Sequence, residues 1–287
     1  MAQQIYADWQ QELNPQWQLE TGLAWHKSYV LYAGSHTYLR RWMPKLGLVY
    51  TPDSATHVRL AAWKGLDNAA VGDASLEQAT LAGIALRRPG ENRQLVRSVA
   101  LGADKQLATV WLLEGQAQRR WVDDPSDAGN GTLVLAPKRV DASRLALHWQ
   151  PGSVEMTLAY DDERFRNDDL ATLISNSLQR QRLRSQQLGL RWQANEQWTA
   201  NLGWSRNWVT AQQQATDLNT FALYLIDVQD RFNQADASLS WQFSRIGSVE
   251  MNVRNIGGKG SRHTEIDPLV PRFSKGRLSY AKLKLIW

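Results

Sequence analysis

The residues that look most like chemical equipment are carboxylates: Asp161, Asp162, Glu163, Asp168 and Asp169 crowd one short stretch. Such a group can hold a divalent cation, or bridge to anionic lipid through one. Their spacing matches no calcium loop, and a block of like charge more often forms a solvated surface. Asp123, Asp124 and Asp127 read the same way. The five His stand at 26, 36, 57, 148 and 263 with no His-x-x-x-His pair, so no zinc spacing exists among them. His36 and His263 fall in long polar segments, where loops commonly meet ligands. Gly257-Gly258-Lys259-Gly260-Ser261 has the glycines of a phosphate loop, but Gly260 separates Lys from Ser and no helix is expected to follow. The chain has no Cys, which removes disulfides, thiolate metal sites and cysteine nucleophiles. The residues therefore predict no catalytic group, no metal site and no cofactor, and the chain is not expected to be an enzyme.

The charges that recur in a pattern are of another kind. Arg59, Arg144, Arg191, Arg254, Lys282 and Lys284, with Glu20, Asp236 and Glu250, sit on the polar faces of alternating segments. Facing a water-filled or plugged lumen, such charges set the field felt by a passing solute. Two readings stay open: a basic inner surface favouring anions or an acidic plug, and ordinary charges paired across strands.

The elements that position these charges alternate with period two. Trp198, Ala200, Leu202 and Trp204 oppose Thr199, Asn201, Gly203 and Ser205; Ala235, Ala237, Leu239, Trp241 and Phe243 oppose Asp236, Ser238, Ser240 and Gln242. Strands are predicted at 4–13, 17–27, 40–51, 55–64, 93–103, 106–121, 139–150, 153–162, 180–194, 197–209, 232–244, 247–255 and 277–287. Short turns fall at Asn14-Pro15-Gln16, Pro52-Asp53-Ser54, Ala103-Asp104-Lys105, Pro151-Gly152, Asn195-Glu196 and Arg245-Ile246. Long polar segments alternate with them at 28–39, 65–92, 122–138, 163–179, 210–231 and 256–276. Leu170 to Leu178 is the one stretch that suits a short helix. Thr220 to Asp230 alternates but reads as loop.

Fourteen Trp against five Phe point to boundaries wet on one side, where indole places its N–H. No apolar run approaches 18 residues and mean hydropathy is −0.47, so no membrane helix is expected. A polar average with one apolar face per strand suits a transmembrane β-barrel, whose turns are short on the periplasmic side and long outside. Aromatics should then gather at two headgroup levels. Trp17, Tyr50, Trp149, Trp192, Trp198, Trp241 and Trp287 are assigned to the periplasmic girdle. Trp25, Trp63, Trp121, Trp204 and Trp208 are assigned to the extracellular one. Net charge is +5, but Lys and Arg are scattered without a stripe, so nucleic acid is not an expected partner.

The fold class predicted is all-β: a transmembrane antiparallel barrel with about 13 strands in one domain over 1–287. An odd count, and a start at Met1-Ala2-Gln3-Gln4 without the basic and apolar regions of a secretory signal, lead to the expectation of a chain truncated at its N-terminus.

Pro44-Lys45-Leu46-Gly47-Leu48-Val49-Tyr50-Thr51-Pro52 followed by Val58-Arg59-Leu60-Ala61-Ala62-Trp63 resembles a hairpin of TonB-dependent receptors. Val253-Arg254-Asn255-Ile256 resembles their penultimate strand, and the final aromatic, Trp287, is similar to the residue read there by the barrel-assembly machinery. The resemblance implies the C-terminal part of a barrel of about 22 strands that takes up a bulky solute in the bacterial outer membrane. It also implies a plug domain and a periplasmic energy-coupling protein as partners, together with outer-membrane lipid and lipopolysaccharide. Two other expectations stand beside it: a porin joined to helical repeats, exporting a polymer or passing solutes passively, and a non-transport role in adhesion or lipid hydrolysis.

Overall fold

A strand with one apolar face is stable only when its backbone N–H and C=O groups bond to neighbours on both sides. The computed structural model describes residues 2–32, 35–67, 80–86, 94–127, 133–167, 178–217, 219–220, 222–258 and 276–285. Thirteen strands form one antiparallel sheet. They are β1 (Ala2–Asn14), β2 (Trp17–Tyr32), β3 (Ser35–Asp53), β4 (Thr56–Asp67), β7 (Gln94–Ala108), β8 (Trp111–Asp127) and β9 (Leu133–Trp149), followed by β10 (Val154–Asn167), β11 (Leu178–Gln193), β12 (Trp198–Thr216), β13 (Leu223–Ser244), β14 (Gly247–Arg254) and β15 (Leu278–Leu285). Each pairs with its successor, so the sheet is a meander whose edge strands, β1 and β15, are paired on one side. Two further short strands, β5 (Thr80–Leu81) and β6 (Ile84–Ala85), form a separate hairpin.

The predicted strands correspond to these thirteen, with three corrections. The turn placed at Ala103-Asp104-Lys105 is strand, since β7 continues to Ala108 before turning into Trp111. Segment 28–39 is largely paired strand, with Tyr32 opposite Ser35. Thr220 to Asp230, read as loop, begins β13 at Leu223 and pairs with β12 through Thr216. The last two misreadings share a cause. A membrane strand needs only about 9–11 residues, whereas β13 has 22 and β12 has 19, so these hairpins run on beyond the lipid, where polar side chains suit both faces. The helix expected over Leu170 to Leu178 lies mostly outside the described residues.

Three of the short turns share one device. Asn14 Oδ1 accepts the N–H of Gln16 and Trp17 at 2.9 and 3.0 Å, and Asn195 Oδ1 accepts those of Gln197 and Trp198 at 2.9 Å each. Asp53 accepts the Ala55 N–H at 2.8 Å and the Thr56 hydroxyl at 3.3 Å. These bonds hold its carboxyl below the usual carboxylate range. Each side chain thus satisfies turn amides that the ladder leaves unpaired.

Alternation sorts the sheet into two faces. Leu23, Trp42, Leu46, Leu60, Leu145, Leu158, Leu202 and Met251 are exposed on the outer one. Ser98, Gln118, Arg120, Glu163, Gln181, Ser185 and Asn207 are buried on the inner one. An outer face of exposed aliphatics matches hydrocarbon. Leu202→Arg, near mid-height on that face, is predicted to cost about 2–4 kcal/mol. Ser240→Arg, on the inner face opposite Glu250, should cost under about 1 kcal/mol as an ordinary surface change. Urea titration of the full-length protein refolded in vesicles, followed by gel mobility, measures both.

Candidate functional site: the inner face and its hairpin

Between β4 and β7 the chain sends the β5–β6 hairpin onto the inner face of the wall. Its turn, Leu81-Ala82-Gly83-Ile84, has positive φ at both central residues, 49° at Ala82 and 74° at Gly83, as a two-residue type I′ hairpin requires. Glycine tolerates this freely, whereas an alanine there costs about 1–2 kcal/mol. The offset comes from packing: Leu81 and Ile84 are 2 % and 1 % exposed, and cluster with Ala61, Trp63, Leu86 and Ala100. Burying each of those two aliphatic side chains contributes about 1.5–3 kcal/mol.

Polar contacts fix the tip. The Ala82 N–H donates to Glu20 Oε2 at 2.6 Å, and Gln18 Nε2 donates to the other carboxylate oxygen at 2.9 Å. Arg59 lies beneath Gly83, where a Cβ would fall 3.0 Å from its Nη1, and it pairs with Asp104. Gly47 clears the remaining space, since a Cβ there would stand 3.0 Å from the Leu81 side chain and 3.1 Å from Ala82 Cβ. Glu20 is three residues from Trp17, or about 10 Å of strand from the short-turn end. A connection that leaves β4 at the opposite end therefore reaches most of the way down the inner face.

The rest of that face is a paired polar lining. Lys45 meets Asp8 at 3.8 Å, His57 meets Asp104 at 2.7 Å, and Arg144 meets Asp161 at 3.4 Å. His148 reaches Thr157 Oγ1 at 3.0 Å and Glu114 at 3.6 Å. Gln187 Nε2 donates to Asp161 at 2.8 Å. Nearer the long connections lies an apolar patch of Leu183, Val209 and Ala211, packed against Leu178, Val228 and Phe232.

Of the charges assigned to the lumen, Arg59 and Arg144 stand on the inner face with carboxylate partners. Arg191, Arg254, Lys282 and Lys284 stand on the same face, Arg191 in register with Glu155 and Lys282 with Glu250. The carboxylate cluster does not converge: Asp161 and Glu163 turn inward while Asp162 turns outward to Arg182. Asp168, Asp169, His263 and Lys259–Ser261 lie outside the described residues, as do the side chains of His36, Asp124 and Asp127. Among the described residues no three His, Cys, Asp or Glu side chains are placed to share a metal ion.

Trp63 is a correction. Assigned to the extracellular girdle, it is 6 % exposed and packs inward against the hairpin, because residues 59, 61 and 63 share one face of β4. Trp17 stacks on Tyr50 with centroids 4.4 Å apart, and Trp198 on Trp241 at 5.5 Å, beside the short turns. Trp149 adjoins Trp111 at 6.0 Å, and Trp192 is opposite Val154 at that same end. Trp25, Trp121, Trp204 and Trp208 point outward. Trp204 sits only six residues above Trp198, about 15 Å of height for a tilted strand. Trp287 lies outside the described residues. The hairpin itself was missed. Its signal was the apolar run Leu81-Ala82-Gly83-Ile84-Ala85-Leu86 inside an otherwise polar segment.

A meander with hydrocarbon-compatible residues outward, a buried polar lining inward and short turns at one end defines a wall of the outer-membrane barrel class. No protein-family description and no curated protein matches the sequence. Solved structures do resemble it. The FrpB iron transporter from Neisseria meningitidis superposes with a TM-score of 0.61 at 13% identity, over 98% of this chain and 44% of that one. The copper transporter OprC gives 0.58 at 14%, over 88% and 44%. The siderophore receptor PiuA from Acinetobacter baumannii gives 0.54 at 12%, over 88% and 47%. These are receptors and transporters, and this chain shares part of their fold. The chain spans less than half the length of each.

Removing the space at Gly47 should release the hairpin. In a background with no other thiol, Ile84→Cys is predicted to react slowly with a membrane-impermeant maleimide. Adding Gly47→Val, an overpacking change worth about 1–3 kcal/mol, should speed labelling by about tenfold. Equal rates in the two backgrounds would mean that the wall does not hold the hairpin.

Proposed function

We propose that this chain forms part of the wall of an outer-membrane receptor that takes up a bulky solute, with its long connections as the outer binding surface. The observation that carries this reading is the hairpin laid down the inner face. A passive porin works through a standing aqueous bore. An extracellular connection folded nearly to the short-turn end narrows such a bore, and suits a path that opens only on engagement. The likeness to siderophore, iron and copper transporters supports a chelated metal, or a solute of similar bulk, as cargo.

Among the described residues, strands β1 and β15 each lack a neighbour on one side. An unpaired edge in lipid leaves backbone groups unsatisfied, which supports completion of the wall by further strands. In this proposal a plug domain fills the lumen, a periplasmic energy-coupling protein opens it, and Trp287 is the residue read by the barrel-assembly machinery. Arg191 on β11, Arg254 on β14 and Lys282 and Lys284 on β15, all on the inner face, are the basic groups that such a plug would meet.

The test is uptake. Cells carrying or lacking the full-length gene are compared for accumulation of radiolabelled ferric catecholate, ferric hydroxamate and copper, with and without a protonophore. One cargo class is expected to accumulate in carrying cells only, and only when they are energised. Accumulation that survives the protonophore would make the protein a passive pore, and no difference between the strains would overturn the reading.

A further inference from the structure

The outer face carries a feature that hydrocarbon does not explain. Arg97, Trp121, Arg139, Arg166 and Arg180 are successive cross-strand partners over β7 to β11, forming one row near the long connections. The row beneath it reads Arg119, Asp141, Arg164 and Arg182, and the next contains Asp162 and Arg184. All of these point outward by the same alternation that points Leu101, Leu145 and Leu158 outward. Adjacent strands lie about 4.8 Å apart, so Arg139, Arg166 and Arg180 fall within about 10 Å of one another.

Height explains how the membrane tolerates them. Arg139 stands ten residues along β9 from Trp149 at the short-turn end. At the usual rise and a tilt near 40°, that is about 25 Å, the full height of the apolar band. The upper row therefore lies at the headgroup level of the outer leaflet.

Charge balance then points to an external anion. Asp141 accepts from Arg119 Nε at 2.6 Å and from Arg139 Nη2 at 2.7 Å. Asp162 accepts from Arg182 Nε at 2.9 Å and lies 3.5 Å from Arg164 Nη2. Among the described residues, Arg166, Arg180 and Arg184 have no carboxylate within ion-pair distance. Guanidinium groups bind phosphate with two parallel N–H bonds, which makes arginine the suited residue here.

Beside the lower arginine row and one row beneath it the outer surface is grooved. A depression of about 800 Å³ has Leu46, Leu48, Leu60, Val99 and Leu101 among its walls, Ala117 and Ser143 in its floor, and Arg119, Arg139, Arg164 and Arg166 at its lip. Aliphatic walls, a small-residue floor and a cationic rim match an acyl chain joined to a phosphorylated headgroup.

We propose that this face is a binding site for lipopolysaccharide, its phosphates on the arginine rows and an acyl chain in the groove. Several guanidinium groups on adjacent strands suit a headgroup with more than one phosphate, and the long-connection end faces the leaflet where that lipid resides. The site is independent of what the barrel transports.

The test uses the full-length protein purified from outer membranes in mild detergent, with bound lipid quantified by mass spectrometry. Lipopolysaccharide is expected to co-purify, and Arg166→Gln/Arg180→Gln/Arg184→Gln should reduce it several-fold. Ala117→Trp, which fills the groove and keeps every charge, should do the same. The variant Arg245→Gln, in the short turn between β13 and β14, should not, and heat-dependent gel mobility confirms that each variant is folded. For the delipidated protein, enzymatically dephosphorylated lipopolysaccharide should rebind more weakly than the intact form. Equal retention by the triple variant, or phosphatidylglycerol or cardiolipin as the bound species, would overturn the proposal.

Discussion

The cost of an unpaired backbone amide in hydrocarbon organises this chain. With no water to bond to, every N–H and C=O inside the bilayer must find a partner in the sheet, so the thirteen wall strands pair in chain order, β4 joining β7 across the separate β5–β6 hairpin. The side chains are then left only the choice of face. Short turns follow from the same demand. Asn14, Asp53 and Asn195 lend side-chain oxygens to amides that the ladder cannot reach, and aromatic pairs such as Trp17 with Tyr50 close the ends of the hairpins at the interface.

Much of this was legible because period two is a local signal. Thirteen strands and five of the six short turns were readable from alternation and from turn residues. Where the reading failed, residue type had been allowed to override phase. Arg59 was placed inward and Trp63 outward, although an even separation puts them on one face of β4, and burial of Trp63 beneath the hairpin settles the matter by geometry. The displaced turn after β7 failed for the same reason: Ala103-Asp104-Lys105 has turn composition, yet Asp104 is needed inward to meet Arg59 and His57.

What could not be read was anything that depends on register between distant segments. Arg139, Arg166 and Arg180 look scattered along the chain, separated by a turn and a long connection. Only cross-strand pairing aligns them in one row. Glu20 and Ala82 are 62 residues apart, and no pattern around either announces their contact. A sequence displays which faces exist, but the level at which a residue sits on a face is a property of the pairing.

The hairpin shows how finely the inner face is balanced. Leu81 and Ile84 gain from burial, whereas Ala82 stands in a left-handed conformation that L-residues resist. Among the described residues its polar anchor is the tip's Ala82 N–H on Glu20. An element held by a small apolar cluster and one strong hydrogen bond opens at far less free energy than the strands behind it, whose ladders must break as a unit. The wall and the hairpin thus differ in kind. The wall is fixed by the solvent that surrounds it, while the hairpin is fixed by a few named side chains.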